Sequence, residues 1–363
     1  MTEYLQKILA QFLLKGKAVT GARYGNGHIN ETYLITTDYG RSYILQKINE
    51  TVFKDVEGLM GNIEAVTEYL RTKEPEERAV LQLVKTVEGK SYLRHTDGTA
   101  WRVYVFVLDS ICLQAPETPE DFYQSAVAFG RFQQLLQDFP AEKLTETIPN
   151  FHNTKDRYRQ FYEVLGKDPL GRAKEVSAQI AFAKAHEEEA GILVDLLAAG
   201  KLPLRVTHND TKLNNVMLDA ETRKPLCVID LDTVMPGSSL YDYGDSIRFG
   251  AATGAEDDAQ VELDLTLFEI YTKGFLTACP DLTAAEVELL PMGAKIMTLE
   301  CGLRFLTDYL DGDHYFANRR PGQNLDRCRT QFQMVADMEK KWDQMHAIVK
   351  KLTKERRIGS CSI

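Results

Sequence analysis

The chain has 363 residues, 44% of them apolar and 26% charged, values that suit a globular protein of two domains or lobes. Its net charge of −10 argues against a nucleic-acid surface, which needs a basic patch to meet phosphates. No apolar run approaches the ~20 residues that span a bilayer, so no membrane partner is expected.

The first hundred residues read as strands around one helix. Strands are predicted over 17–24, 32–36 and 42–48, broken by Gly25-Asn26-Gly27 and by Asp38-Tyr39-Gly40. Leu59, Ile63, Val66 and Leu70 fall at helical spacing and predict a helix over 57–70. Strands follow over 79–84, 91–93 and 101–107. Past Asp109 the pattern changes. Phe122, Ala126, Phe129, Phe132, Leu136 and Phe139 form an apolar helical stripe that Pro140 closes. Residues 170–200 are mostly helical, 205–250 hold short strands and tight turns, and 264–353 are helical again. Met334, Met338, Trp342, Met345 and Val349 continue one stripe that suits core packing. The fold class is therefore α+β, with a β-rich lobe over 1–108 and a mainly helical lobe over 109–363.

The six cysteines, Cys112, Cys227, Cys279, Cys301, Cys328 and Cys361, form no CxxC pair, so neither a zinc site nor a disulfide framework is indicated. Free thiols fit a reducing cytoplasm, and Met1 to Lys17 has no signal-peptide core.

The segment that carries chemistry is 205–218, with His208-x-Asp210-x-x-x-x-Asn215. Phosphoryl transfer needs a carboxylate to orient and deprotonate the attacking hydroxyl, and an oxygen ligand for a metal that bridges the phosphates. Asp210 and Asn215 fit those roles. Two short apolar runs, 215–218 and 226–229, flank a polar turn and predict a hairpin that returns Asp230 beside Asn215. Two hard oxygen ligands suit Mg²⁺ when water and phosphate complete its shell. Asp232 follows on the same face, as a supporting group or second ligand. Asp242 and Asp245 suit bracing of the catalytic loop.

Gly25-Asn26-Gly27 can lay backbone N–H groups over ATP phosphates. It is neither a Walker loop nor a dinucleotide fingerprint, because no GxxxxGK[ST] occurs and a strand follows it. On the third strand Gln46 and Lys47 point to opposite faces, and only one can meet the nucleotide. Glu64 on the following helix is expected to pair with Lys47 or to hydrogen-bond Gln46. Phe106, Val107 and Leu108 lie at the hinge, where backbone groups would meet adenine.

These residues resemble the aminoglycoside phosphotransferase and choline kinase superfamily, which shares the bilobal protein-kinase fold. The strings YGNGHINETYLITT, YILQKIN, LRVTHNDTKLNNVMLD, VIDLDTVMPGSSLYDYGDSIRFGA and CGLRFLTDYLDGDHYFA are similar to those of bacterial N-acetylhexosamine 1-kinases, over about 19–330. The resemblance implies ATP- and Mg²⁺-dependent phosphorylation of the anomeric hydroxyl of N-acetylglucosamine or N-acetylgalactosamine. It implies Asp210 as base, Asn215 and Asp230 as metal ligands, and His28, Phe249 and Arg304 as sugar contacts. YILQ implies that Gln46 takes the place usually held by lysine. An ordinary ion pair between Arg304 and Asp308, four residues on, is the structural alternative for Arg304. The competing functions are a kinase for choline or an aminoglycoside, and a non-catalytic nucleotide-binding protein. A monomer or homodimer is expected.

Overall fold

The computed structural model describes residues 1–25 and 29–360, the last four of these by backbone alone. In chain order the elements begin with helix α1 (Glu3–Leu9), strands β1 (Ala18–Arg23), β2 (Glu31–Thr37) and β3 (Ser42–Lys47), and helix α2 (Val56–Lys73). Strands β4 (Leu93–Arg94), β5 (Ala100–Val105) and β6 (Ser110–Ile111) lead to helices α3 (Pro119–Leu135), α4 (Thr154–Lys167), α5 (Ser177–Ala185), α6 (Glu187–Ala190) and α7 (Ile192–Ala198). Strands β7 (Arg205–Thr207), β8 (Val216–Asp219), β9 (Pro225–Val228) and β10 (Met235–Gly237) precede α8 (Ser239–Gly250), α9 (Leu265–Ala278) and α10 (Ala284–Glu288). Helices α11 (Leu290–Asp311), α12 (Gln323–Lys340) and α13 (Trp342–Ser360) close the chain.

The chain divides into two compact units. One comprises Met1–Cys112, Asp138–Pro149 and Val216–Met235; the other comprises Leu113–Gln137, Asn150–Asn215 and Pro236–Ile363.

The first unit is built on a five-stranded antiparallel sheet in the order β1-β2-β3-β5-β4. Alternation along the strands sends Ile35, Tyr43, Leu45, Trp101 and Val103 to one face, where Leu5, Ile8 and Leu9 of α1 pack on them. Gln46, Arg102 and Tyr104 point to the other face, where Arg102 touches Met60 of α2. A second, three-stranded sheet in the order β6-β8-β9 carries the hairpin, whose register pairs Val216 with Val228.

The segment 79–84 is not the strand that its apolar residues predict. Leu83 makes one isolated bridge to Tyr104, while the Arg71 guanidinium donates to the carbonyls of Val80 and Leu81, so those oxygens are engaged by a side chain.

The second unit is helical. Residues 239–250, expected to be short strands and turns, form the buried helix α8, capped by Ser238, whose Oγ accepts the Leu240 N–H. Gly244 serves packing rather than turning. A Cβ there would lie 2.3 Å from the carbonyl oxygen of Gly293, so α8 and α11 meet backbone to backbone. The long apolar stripe after residue 330 is shared by two helices, α12 and α13, with Met334, Met338, Met345 and Val349 all buried. Among the described residues no helix is long and apolar enough to cross a membrane.

Candidate active site

In the helical unit the loop after β7 is held from α8. The Asp242 carboxylate accepts the backbone N–H of His208 at 2.9 Å and of Asn209 at 2.8 Å, and the side-chain amide of Gln133 at 2.6 Å. Asp245 accepts the Thr211 N–H at 3.0 Å and pairs with Arg248, and Ser246 donates to the Thr211 carbonyl at 2.9 Å. One helix thus grips His208, Asn209 and Thr211 of the loop, the bracing expected of Asp242 and Asp245. Burial pushes the Asp242 carboxyl up, against the pull of His208, Asn209 and Gln133. Burial also opposes the Asp245 charge, but Arg248 and Lys212 hold that carboxyl below its usual range.

The grip fixes Asp210. Asn209 before it sits at φ 65°, a left-handed conformation that asparagine tolerates. Asn215 donates its side-chain N–H groups to the Asp210 carbonyl at 2.8 Å and to its carboxylate at 3.1 Å. The Lys212 ammonium lies 2.8 Å from the other carboxylate oxygen. Burial works against the Lys212 charge, but Asp210 and Asp245 outweigh it and push its pKa up. The Asp210 side chain remains 30% exposed, so a hydroxyl can reach it. The amide nitrogen of Asn215 is thus committed to Asp210.

Arg304 on α11 lies among aromatic rings. Its guanidinium carbon is 5.1 Å from the Phe151 ring centroid, 5.7 Å from Tyr315 and 5.5 Å from Phe316. Its ion-pair partner is the buried Glu300 at 3.9 Å, not Asp308. Asp308 is engaged instead with the backbone N–H groups of His314, Tyr315 and Phe316, so the expected Arg304–Asp308 pair gives way to a loop brace. Burial would raise the Glu300 carboxyl, but His152, Arg157 and Arg304 bring it below its usual range. Phe249 is half-buried on the last turn of α8.

In the sheet unit Gly25 has φ 76°, and Asn26, Gly27 and His28 lie outside the described residues. Gln46 and Lys47 take opposite faces. Lys47 pairs with Glu31 at 3.5 Å, whereas Gln46 donates to Thr32 Oγ1 at 3.1 Å and accepts from Arg102 Nε at 2.9 Å. Glu64 pairs with Lys85 and with neither of its expected partners, because Lys85 lies beside α2 where it also meets Glu68. Near the expected hinge, Ser110 Oγ donates to the Val107 carbonyl at 2.7 Å, Arg78 donates to the Leu108 carbonyl at 3.3 Å, and Phe106 meets Tyr24 edge-on at 5.8 Å.

Asp230 follows β9 with φ 59°, a conformation that costs a non-glycine residue energy and recurs at functional sites. Asp232 is committed to Arg102 through one oxygen and to Asn30 at 2.6 Å through the other, so it braces the turn after Asp230. Sequence reasoning missed Arg102, Lys212 and the aromatic residues around Arg304. A lone arginine in the apolar run Ala100–Val105 is a usable signal, since arginine is almost never fully buried unless paired.

A model of the phosphotransferase enzyme family matches residues 20–273, more than half of the chain. The chain belongs to this family. Among solved structures this phosphotransferase is similar to a microcompartment-associated aminopropanol kinase, at 17% identity over 94% of this chain and 98% of that one, with a TM-score of 0.67. It is similar to a spectinomycin phosphotransferase in complex with ADP and spectinomycin, at 12% identity over 93% and 98% of the two chains and a TM-score of 0.62. An ethanolamine kinase of Plasmodium vivax matches at 14% identity over 86% and 82%, with a TM-score of 0.55. These likenesses establish the kinase-like fold expected from the sequence, with a β-sheet N-terminal region and a helical C-terminal region.

Proposed function

We propose that this phosphotransferase moves the γ-phosphate of ATP, with Mg²⁺, onto the anomeric hydroxyl of N-acetylglucosamine or N-acetylgalactosamine. Asp210 accepts the hydroxyl proton and orients the oxygen for in-line attack. Asn215 through Oδ1 and Asp230 through its carboxylate are the metal ligands; their all-oxygen chemistry suits Mg²⁺, which supplies neutralisation of phosphate charge when bound. Gly25, Asn26 and Gly27 cover the phosphates, Gln46 rather than Lys47 faces the nucleotide, and backbone groups of Phe106, Val107 and Leu108 meet adenine. His28, Phe249 and Arg304 contact the sugar.

The observation that carries the sugar reading is Arg304. Among the described residues its fork of donors makes one long hydrogen bond, 3.4 Å to the Tyr315 hydroxyl, beside the 3.9 Å pair with Glu300, while three rings lie against it. That combination suits a neutral acceptor rich in oxygen, with an apolar face for a ring and donors for a carbonyl. Amino alcohols and aminoglycosides, the acceptors named for related folds, bring a cation instead. Like charges 4 Å apart cost about 4 kcal/mol at an effective dielectric near 20.

ADP release across N-acetylglucosamine, N-acetylgalactosamine, glucose, galactose, choline, ethanolamine and kanamycin tests the proposal, with phosphorus NMR on the product. The N-acetylamino sugars are expected to give the highest kcat/KM and a 1-phosphate signal. Comparable kcat/KM for choline, ethanolamine or kanamycin overturns the sugar reading and leaves the kinase reading standing.

A further inference from the structure

Kinase-like folds place a lysine on the third strand, where it meets the phosphates and pairs with a glutamate of the adjacent helix. Neither half of that arrangement is present among the described residues. The strand position holds the neutral Gln46, and Glu64 of α2 is turned to Lys85. The cation stands one strand away. Thr32, Gln46 and Arg102 form a rank across β2, β3 and β5, joined by Gln46 Nε2 donating to Thr32 Oγ1 and Arg102 Nε donating to Gln46 Oε1.

Arg102 is 1% exposed, and its Nη1 pairs with Asp232, two residues beyond Asp230. Its guanidinium also lies 5.3 Å from the Tyr104 ring. The same turn is tied at other points. Asn30 donates to Asp232 Oδ2 at 2.6 Å, Thr147 Oγ1 donates to the Asp232 carbonyl at 3.3 Å, and Asn62 of α2 donates to the Val234 carbonyl at 3.0 Å. Arg102 brings the one charged tie among these, its pair with Asp232.

We propose that Arg102 is a positioning residue for metal–nucleotide binding: from β5 it locks, through Asp232, the turn that carries Asp230. Gln46 relays the lock to β3. The inference rests on the reading of Asp230 as a metal ligand.

Calorimetric titration of the full chain with Mg²⁺–AMP-PNP, and with AMP-PNP in EDTA, tests it. Arg102→Met and Asp232→Asn are each expected to weaken the metal complex roughly 10–100-fold, the usual effect of removing a group that orients a metal ligand. Affinity for the metal-free nucleotide should stay within about twofold. The swap Gln46→Lys with Arg102→Met returns the cation to β3 and should recover most of the loss. If Arg102→Met does not fold, Asp232→Asn carries the test, because its amide keeps the shape of the site. Equal weakening of both nucleotide forms, unchanged affinity for the metal complex, or a swap that restores nothing overturns the proposal. Asp230→Ala separates the two readings. If it too leaves the metal complex unaffected, the metal reading falls and takes this proposal with it. If Asp230→Ala weakens the metal complex while Arg102→Met and Asp232→Asn do not, only the role of Arg102 falls.

Discussion

From the first turn of α8, the Asp242 carboxylate accepts the backbone N–H of His208 at 2.9 Å. Asparagine in its place would turn an N–H toward one of three donors. Asp242→Asn should therefore cost about 1.5–3 kcal/mol of stability, the worth of hydrogen bonds to a charged acceptor. It should also lower kcat more than it raises KM for ATP, because the loop that presents Asp210 loses its anchor. Urea unfolding and steady-state kinetics on one preparation check both, and wild-type kcat in a stably folded variant would remove the anchoring role.

Asp210→Ala should reduce turnover by ~10²–10⁴-fold, the usual worth of a general base, while nucleotide still binds. Single-turnover phosphate transfer set beside nucleotide titration separates the two effects. Turnover within a few-fold of wild type would exclude Asp210 as the base.

Arg304→Lys keeps the charge but loses the planar fork and the fit among Phe151, Tyr315 and Phe316. KM for the sugar should rise, with KM for ATP little changed. An equal rise in both constants would place Arg304 outside the acceptor site.

Arg205 and Glu286 form a buried two-point pair, 2.5 Å and 2.8 Å, with Ser239 and the Thr283 N–H also donating to Glu286. Burial raises the Glu286 carboxyl, but these bonds outweigh it and hold it below its usual range. A depressed carboxyl stabilises the fold above its unfolded value, about 4.3, and loses that contribution as pH falls through the lower folded value. Wild-type unfolding free energy should thus drop on acidification below about pH 4.3. Glu286→Ala should be less stable at pH 7 by roughly 3–5 kcal/mol, since Arg205 is left buried and unpaired, and its acid slope should be shallower. Denaturant melts from pH 3 to 7 measure both, and an unchanged slope would exclude Glu286 as the group responsible.

Local patterns were legible where one face of an element decides its fate. Alternation marked β2 and β3 to within a residue or two, and the spacing of Leu59, Ile63, Val66 and Leu70 marked α2. Legibility failed where a long-range contact overrides local signals. Residues 239–250 look turn-rich because of Gly244 and the clustered polar residues, yet that glycine is needed against Gly293, far along the chain. The loop residues around Asp210 could be named from spacing alone, but spacing did not show that the Lys212 ammonium turns back onto the Asp210 carboxylate. The partner of Glu64 could not be read either, because Lys85 reaches α2 from an irregular segment with no period of its own.

Asp308 holds residues 314–316 by their backbone N–H groups, independently of which side chains those residues carry. The course of that loop is therefore insulated from its own sequence. Those bonds remain available whichever side chains stand at 315 and 316, while the loop that presents Asp210 is secured separately, by Asp242 of α8 and by Asn215. On the proposed acceptor site beside Arg304, a library randomised at those two positions should diversify acceptor choice while leaving the phosphate-transfer machinery intact, which makes this loop the natural starting point for redirecting the enzyme toward other acceptors.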